Sequence, residues 1–490
     1  MYKAGIRVNY DSSEIKQSVK RSVSMPLYIG FAPIHYLDDY TRVVNKAIQI
    51  NDSKEAIEKL GYCDDWEHYT LCPAIHAHFM GDDNIGPVLF LNVFDPNAIK
   101  SGEKNKALTF TNGETTLEDA TNVITNTITI DGKVQGEDFV VMRSTDGTTV
   151  RIVSTNKGNL TGQQTVKWYE VQTDNLTKNL IKGARIKGGD STGVWAIDSA
   201  YREYNVKPNI VCVPKFSRET DVKDEILKIL QNYGEEYRLY GYVDIPCSSS
   251  TATTDTIEGV KTWKKSSTYN NKNIVSNWGT YVVGDKKYPS SIIRTKVAQM
   301  LDSTTEIPCK VPSNYILGTG KLVSDEGKEL RLGTAEGIEL DSVGISTIVY
   351  AEGAMRTWGT KTSRYNVLEE DSIDPRDTEE IRVRSVYAIG NNFVSTFFDK
   401  LHSPLTIGLK ENIKNTYQAY LDRLVTKNEI LYGVIEFDAY ENTLDRLVKG
   451  EFYFKTSVTS GGNLNYIDLR IKWTDKGYEK FFTPTEGGAS

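Results

Sequence analysis

The sequence is poor in cysteine and histidine for a chain of 490 residues. Its five cysteines are scattered, and none of them forms a Cys-x-x-Cys pair. Disulfide frameworks and structural zinc sites need paired cysteines at characteristic spacings, so an odd number of scattered cysteines predicts reduced, mostly buried side chains. The sequence therefore predicts neither a disulfide scaffold nor a zinc centre.

Long hydrophobic runs and an excess of basic residues are also missing. The longest apolar run, residues 88–94, is interrupted by Asn92 and is too short to span a bilayer, and residues 1–25 have no apolar core of signal-peptide length. A net charge of -7 argues against nucleic-acid and anionic-membrane partners, which favour basic clusters. We therefore expect a protein that folds in a cytoplasm, neither binds nucleic acid nor inserts into a membrane, and has other proteins as partners.

The pattern changes character several times along the chain, and 490 residues exceed what one hydrophobic core usually supports. We expect a multidomain α/β (mixed α+β) protein, with an α/β core, an inserted β-rich domain and terminal β-strand exchange arms. The predicted parts are an N-terminal arm and linker (1–25), the first part of the α/β core (26–96), an inserted β-rich outer domain (97–190), a βαβ-type α/β domain (191–344), a C-terminal core domain (345–460) and a C-terminal arm (461–490).

Local patterns predict the elements of the body. Asp52 followed by Glu55 is typical of a helix N-terminus. Asp146-Gly147 between the alternating runs 139–142 and 149–153 predicts a β-hairpin, since both central residues of such a turn need positive φ. Strands and helices alternate between 194 and 301, which favours a parallel, helix-covered sheet. Amphipathic stripes predict helices over 386–401 and 409–426. The apolar stripe of the first comprises Val386, Ile389, Phe393 and Phe397.

Both ends of the chain carry a strand pattern without a neighbouring partner. Near the N-terminus, Ile6, Val8 and Tyr10 alternate with polar residues ahead of the polar stretch 11–24. Near the C-terminus, a Gly-Gly pair at 461–462 precedes alternating residues, of which the apolar ones are Ile467, Leu469 and Ile471. A lone strand behind a polar linker must either fray or join a sheet elsewhere. We therefore predict two exchange arms that contact neighbouring subunits.

An enzymatic alternative rests on Gly189-Asp190-Ser191-Thr192-Gly193, which matches the Gly-x-Ser-x-Gly nucleophile elbow of serine hydrolases of the α/β type. Ser191 would need a histidine as base and a carboxylate to orient it, and the order Ser191, Asp374, His402 is that of α/β-hydrolases. However, residues 183–188 are a poor buried strand, and a plain helix N-cap accounts for the same residues.

Other constellations are weaker. His76-x-His78 could bind a metal only on a strand, because residues two apart on a helix point away from each other. Gly318-x-Gly320-Lys321 lacks the spacing of a phosphate loop. We expect no catalytic, cofactor-binding or metal-binding residues and no cofactor.

Two charged segments are candidates for contacts with other subunits or with an enclosed protein. The acidic run 369–380, which begins with Glu369, Glu370 and Asp371, is typical of a solvated loop, with an inter-subunit contact as the alternative. The predicted helix 409–426 carries basic residues that are candidates for a contact with another protein. They are Lys410, Lys414 and Arg423.

The last third of the chain and its first strand contain a series of short motifs. They are Gly353 followed by Arg356-Thr357-Trp358-Gly359-Thr360, the pair Arg382 and Arg384, Asn442 ahead of residues 445–450, the closing run 466–471, and the first strand at 4–8. In their order and spacing they resemble contractile tail sheath proteins of bacteriophages and phage-like injection machines. The middle of the chain resembles these proteins in architecture only.

This resemblance implies a structural subunit and not an enzyme. Such subunits polymerise as stacked hexameric rings around an inner tube, and their contraction drives the tube through a target cell envelope. Lys410, Lys414 and Arg423 of the predicted helix 409–426 are then candidates for the surface that faces the tube. Their terminal strands join a small sheet on a neighbouring subunit. The partners would be further copies of the chain, a tail tube protein, and baseplate and tail terminator proteins. Assembly would take place in the cytoplasm of a bacterial host, and the product would be a virion tail or a released, bacteriocin-like particle.

Overall fold

The computed structural model describes residues 24–81, 83–144, 146–232, 237–250 and 253–481. Its strands are β1 (Pro26–Gly30), β2 (Lys46–Ile50), β3 (Val88–Asn92), β4 (Lys104–Phe110), β5 (Glu114–Leu117), β6 (Thr129–Ile130), β7 (Phe139–Arg143), β8 (Val150–Ser154), β9 (Gly162–Trp168), β10 (Ile210–Cys212), β11 (Tyr240–Ile245), β12 (Ile274–Trp278), β13 (Thr280–Val283), β14 (Lys286–Pro289), β15 (Ile316–Gly318), β16 (Lys321–Val323), β17 (Glu329–Leu330), β18 (Ile345–Ala351), β19 (Ala354–Trp358), β20 (Ile430–Phe437) and β21 (Phe454–Ser460). Its α-helices are α1 (Ser53–Leu60), α2 (Cys72–Phe79), α3 (Lys178–Lys182), α4 (Asp198–Tyr204), α5 (Thr220–Asn232), α6 (Ile257–Ser266), α7 (Ser290–Asp302), α8 (Thr334–Asp341), α9 (Glu380–Phe397), α10 (Ile407–Thr426) and α11 (Leu444–Val448).

A nine-stranded sheet organises the body, in the order β15-β19-β18-β12-β11-β10-β1-β3-β2. Its centre, from β3 to β18, is parallel, with Leu27 lying between Val211 and Leu89. Strands such as β1, β3 and β11 are buried along their whole length. This is the expected form of a sheet covered by helices on both faces, and it explains the continuous apolar runs in the sequence. The predicted mixed α/β fold class is confirmed.

The segment from β4 to β9 forms two three-stranded antiparallel sheets around a hydrophobic core of its own. The predicted hairpin is confirmed, because β7 pairs with β8. Its loop is wider than a two-residue turn, since Arg143 pairs with Val150, and Gly147 (φ 76°) takes the left-handed conformation. The Asp146 carboxylate accepts hydrogen bonds from Ser144 and Thr148, which stabilises the wider loop.

Helix α9 connects the main body to a C-terminal unit. In its first half, Val383 packs in a cluster that includes Tyr242 of the main sheet. In its second half, Phe397 packs against residues of α10, β20 and β21. The helix begins before the predicted residue 386, and Val386 is 51% exposed, so its place in the predicted apolar stripe was wrong. A single apolar stripe does not describe α9, because its first half packs on the main sheet and its second half packs on the C-terminal unit.

Two local predictions have clear structural outcomes. The Asp52 carboxylate accepts a hydrogen bond from the Glu55 N–H at 2.8 Å, which confirms the predicted start of α1. Gly353 closes a tight β18–β19 hairpin in which Glu352 (φ 50°) and Gly353 (φ 80°) are both left-handed. Within the part of the chain that the structure describes, no helix is both long and apolar enough to cross a membrane.

Candidate inter-subunit site

The C-terminal segment 461–474 follows β21 and runs over the surface without forming a strand in its own subunit. Its apolar side chains are almost fully accessible. Exposure is 75% for Ile467, 77% for Leu469 and 86% for Ile471. Three further large apolar side chains of the segment, Leu464, Tyr466 and Trp473, are at least 77% exposed. So many exposed apolar residues in one short segment indicate a surface that another protein covers.

The two-stranded sheet of β20 and β21 is the second part of this site. No described strand pairs with either of its outer edges. The outer edge of β20 is partly covered, because the Gln418 amide of α10 donates to the Gly433 carbonyl at 3.1 Å and accepts from the Ile435 N–H at 3.0 Å. The outer edge of β21 is therefore the more open of the two.

The register identifies the open backbone groups of β21. Gly433 and Ile435 direct their backbone groups away from β21, and they pair in register with Val458 and Thr456. Two directly opposed residues in an antiparallel pair direct their backbone groups either both toward each other or both away from each other. Val458 and Thr456 therefore direct their N–H and C=O groups to the outer edge of β21, where an added strand would bind.

Asn442 fixes the connection between these two strands. Its side-chain amide donates to the carbonyls of Asp438 and Tyr453, each at 2.7 Å, and its side-chain oxygen accepts from the Tyr453 N–H at 2.7 Å. These bonds replace strand pairing across the long loop that contains α11. The sequence motif at Asn442 is thus a clamp that holds the hairpin in shape.

The predicted N-terminal arm, with Ile6, Val8 and Tyr10, lies outside the described residues. The first described residue, Ser24, is buried and donates its hydroxyl to the Asp302 carboxylate at the end of α7. Asp302 also pairs with Arg384 of α9. The point at which the N-terminal segment enters the body is therefore fixed by α7 and α9.

Asp302 and Arg384 belong to a buried charge cluster, whose other members are Glu380 and Arg294. Arg384 lies 3.5 Å from the Glu380 carboxylate, and Arg294 lies 2.5 Å from the other oxygen of the same carboxylate. Arg294 also donates to the Gly359 carbonyl at 2.9 Å. Every member is at most 3% exposed through its side chain.

Electrostatics keep the two guanidinium groups of this cluster charged. Burial alone would lower the pKa of Arg384, but the carboxylates of Asp302 and Glu380 raise it above the ordinary value, so the guanidinium stays charged. The pKa of Arg294 is raised in the same way by Glu380. This ion-paired cluster fixes the position of α9 relative to α7 and the end of β19, because removing one partner leaves a buried charge unpaired.

The root of the C-terminal segment lies beside the same turn of α9. The Asn465 amide is 3.5 Å from the Glu379 carboxylate, which also pairs with Arg382 at 3.1 Å and Lys361 at 3.3 Å. Ser24 and Asn465 are therefore both linked to the N-terminal part of α9, Ser24 through Asp302 and Asn465 through Glu379. The two arginines of the motif have different contacts. Arg382 pairs with Glu379, which Asn465 of the C-terminal segment approaches, and Arg384 pairs with Asp302, which binds Ser24.

The predicted solvated loop 369–380 is only partly solvated. Glu369, Glu370 and Asp371 are exposed in a 3-10 helix, Val367–Ser372. Glu379 and Glu380, in contrast, are 4% and 0% exposed, so the end of the run was predicted wrongly. Glu379 and Glu380 pair with Arg382 and Arg384 one turn further along α9, and also with Lys361 and Arg294 from outside this helix. The run alone did not predict their burial, because Arg294 is 86 residues from Glu380 in the sequence.

The basic residues of α10 do not form one surface. Lys410 pairs with Glu411 at 2.8 Å, and Arg423 pairs with Glu306 at 2.8 Å. At about 100° per residue, Lys414 and Arg423 lie on opposite sides of the helix. A tube-facing role for these residues stays a prediction.

Ser191 lies in a loop between α3 and a 3-10 helix, Gly193–Ile197, and no strand leads into it. Its hydroxyl accepts a hydrogen bond from the Ile186 N–H at 3.1 Å. The surrounding cleft is lined by no histidine among the described residues. The carboxylate of Asp374 bonds to Arg376 instead, at 2.9 Å.

His76 and His78 lie on α2 and have separate partners. His76 Nδ1 is 2.8 Å from the Tyr288 hydroxyl, and His78 Nε2 is 2.8 Å from the Tyr28 hydroxyl. Burial lowers the pKa of His78 to about 3, so its imidazole is neutral. Among the described residues, no group of histidine, cysteine and acidic side chains could hold a metal ion.

We compared the sequence and the fold with those of known proteins. No protein-family model matches the chain. Over 316 residues, which are 63% of this chain and 74% of the relative, the chain is 19% identical to the major tail sheath protein of Serratia phage KSP20. It superposes on a chain of the baseplate of the anti-feeding prophage (AFP), with a TM-score of 0.55, 10% identity, and coverage of 97% of this chain and 99% of that one. The chain has the fold of contractile tail sheath proteins.

A second solved structure supports the same sheath fold. A chain of the sheath complex of the PVC extracellular contractile injection system, in its contracted state, gives a TM-score of 0.54 at 11% identity, with coverage of 97% of this chain and 99% of that one. The resemblance predicted from the sequence is therefore confirmed. The serine hydrolase alternative has no support in these relatives or in the surroundings of Ser191.

Proposed function

We propose that this chain is the structural subunit of a contractile sheath and has no enzymatic activity. It polymerises as stacked hexameric rings around an inner tube, and contraction drives the tube through a target cell envelope. The observation that carries this proposal is that the same subunit presents both an exposed apolar segment, 461–474, and an open strand edge on β21. One subunit supplies both halves of a contact that needs a second copy to close.

The donor strand fits the acceptor edge in its side-chain pattern. Phe454 and Val458 of β21 are half-buried and pack towards α9 and α10. A strand added beside β21 continues that apolar face when every second side chain is apolar, as in Ile467, Leu469 and Ile471. Its polar residues then face solvent.

A single arm contributes little net stability. Three buried apolar side chains at about 1.5–3 kcal/mol each, with about four or five strand hydrogen bonds at about 1 kcal/mol net, give roughly 10 kcal/mol. Ordering about six residues at about 1.5 kcal/mol each opposes this with roughly 9 kcal/mol. Two arms per subunit make the second contact effectively intramolecular, so the polymer persists while each contact remains weak.

The same proposal covers the partners and the parts of the chain. The partners are further copies of the chain, a tail tube protein, and baseplate and tail terminator proteins, and assembly takes place in a bacterial cytoplasm. The predicted division at residues 25, 96, 190, 344 and 460 separates arms, core and insertion. The β4–β9 insertion, which has a separate core, lies on the outside of the cylinder. The N-terminal arm binds through Ile6, Val8 and Tyr10.

The test is a triple substitution in the donor strand, Ile467→Asp, Leu469→Asp and Ile471→Asp. We expect a folded monomer with an unchanged melting temperature, because the three side chains are exposed in the subunit. We expect cylinders to disappear in negative-stain electron microscopy, because the added charges cannot be buried against β21.

A matched control changes the polar residues of the same strand, with Asp468→Ala, Arg470→Ala and Lys472→Ala. This control should still assemble, since these side chains face solvent in the proposed contact. Long cylinders from the apolar-to-Asp variant would contradict the proposed role of the arm.

A further inference from the structure

A solvent-open cleft of about 800 Å³ lies beside α4 and carries mostly positive charge. Among its lining residues, the cationic side chains are Arg185, Lys187, Arg202 and Lys207, and the carboxylate is Asp198. Arg202 also lies 3.6 Å from the carboxylate of Asp190, which is 91% exposed and free to turn away. This volume is within the range of ordinary binding pockets. The Ser191 hydroxyl in its wall accepts a backbone hydrogen bond from Ile186, and the cleft offers charge and shape for binding.

Aromatic rings hold the cations of this cleft in position. The Lys207 ammonium lies 5.2 Å from the ring centres of both Tyr201 and Tyr237. The Arg185 guanidinium lies 5.7 Å from the ring centre of Trp195. Tyrosine, tryptophan and arginine together are the residue types enriched in protein-binding surfaces. Tyr201 is 45% exposed, so the cleft presents an apolar surface as well as charge.

The complementary surface is on another part of the same chain. In the 3-10 helix Val367–Ser372, Leu368 is 76% exposed, and Glu369, Glu370 and Asp371 follow it on the surface. This acidic segment is held at both ends. The Asn366 side chain caps it through the Leu368 N–H at 3.1 Å, and Ile373 is buried below it.

The two surfaces do not meet within one subunit. No residue of the acidic segment lines the cleft, and Glu369 lines a separate small pocket with Lys264. A contact between them therefore requires a second copy of the chain. Opposite charge on two surfaces of one chain favours head-to-tail contact, which generates rings or helices.

We propose that the cleft formed by residues 185–207 and Tyr237 binds the acidic segment Val367–Ser372 of a second copy of this chain. Leu368 contacts the aromatic rings, and Glu369 and Glu370 pair with Lys207 and Arg202. This inference rests on the proposed sheath function, since it specifies one contact of that polymer. It is independent of the terminal arms.

Charge reversal tests the pairing. The variant Arg202→Glu/Lys207→Glu should reduce sedimentable polymer at least about tenfold at physiological salt, because like charges then face each other. Adding Glu369→Lys/Glu370→Lys to the same chain should restore polymer to within about twofold of wild type. The control Arg42→Glu/Lys54→Glu makes the same charge change at residues 84% and 83% exposed, and it should assemble normally.

A binding measurement separates this inference from the proposed function. A labelled peptide of residues 364–375 should bind the full-length protein in fluorescence anisotropy at low salt, and Arg202→Glu/Lys207→Glu should weaken binding at least about fivefold. Peptide binding without cylinders, in the presence of tube protein as well as in its absence, would support the cleft and contradict the sheath function. Normal assembly of the reversed variant, failure of the compensating pair, or equal peptide binding by both proteins would overturn the inference.

Discussion

At the scale of single residues, the buried charge cluster holds the parts of the subunit in register. Arg384 and Arg294 each bind carboxylates that are distant in sequence, and Gly359 contributes its carbonyl. Gly359 has a φ of 124°, and a Cβ at this position would collide with the Ser346 side chain. The sequence motifs at Gly359 and Arg384 therefore contribute to the same buried charge cluster.

Replacing Arg384 with alanine should lower the free energy of unfolding by about 3–5 kcal/mol, because Asp302 is left buried without its cation. Chemical denaturation monitored by circular dichroism measures this change. The control is Arg382→Ala on the same helix, which should cost less, because its side chain is 35% exposed and its partner Glu379 keeps Lys361 at 3.3 Å. Equal losses for the two variants would show that the cluster does not stabilise the fold.

Lys264 should make stability depend on pH. Burial lowers its pKa from 10.5 to about 7, while its ammonium donates to the carbonyls of Tyr269 and Ser363. Between pH 7 and 10.5 the unfolded chain binds this proton and the folded chain does not, so stability rises with pH in that window, by up to about 1.4 kcal/mol per unit. Urea unfolding at pH 7.5 and 9 should show this rise in wild type.

The rise should shrink in Lys264→Met and persist in Lys265→Met, which alters the exposed neighbour. The same pH slope in wild type and Lys264→Met would mean that Lys264 is charged in the folded protein at both pH values.

At the scale of elements, the open edge of β21 is the proposed acceptor of a neighbouring strand. Thr456→Pro removes one outward N–H and leaves the β20–β21 ladder in place, because Thr456 does not donate to β20. We expect an unchanged far-ultraviolet circular dichroism spectrum and a loss of cylinders in electron microscopy.

Thr456→Val keeps the N–H and the β-branched shape, so it should assemble as wild type does. Cylinders of normal length from Thr456→Pro would place the acceptor elsewhere in the subunit.

Much of this element structure was predictable from local sequence signals. The capped start of α1, the β7–β8 hairpin and the apolar face of α10 all arise from residues close together in the chain. The charge cluster was not predictable, because Asp302 and Arg384 are 82 residues apart and neither lies in a local pattern that requires the other. The open edge of β21 was also missed, since its polar exposed residues resemble a loop.

At the scale of the whole molecule, the roots of the two terminal segments meet at α9. Ser24 reaches this helix through Asp302, and Asn465 reaches it through Glu379. This helix also joins the main body to the unit that contains β20 and β21. In the proposed polymer, α9 would connect both terminal contacts to the body of the subunit.

The most direct test of the central claim is negative-stain electron microscopy of the purified full-length protein over a range of concentrations, with and without a tail tube protein. The account predicts hollow cylinders of uniform diameter, built of stacked rings with six subunits each. Only monodisperse single subunits at every concentration, in the presence of tube protein as well as in its absence, would contradict it.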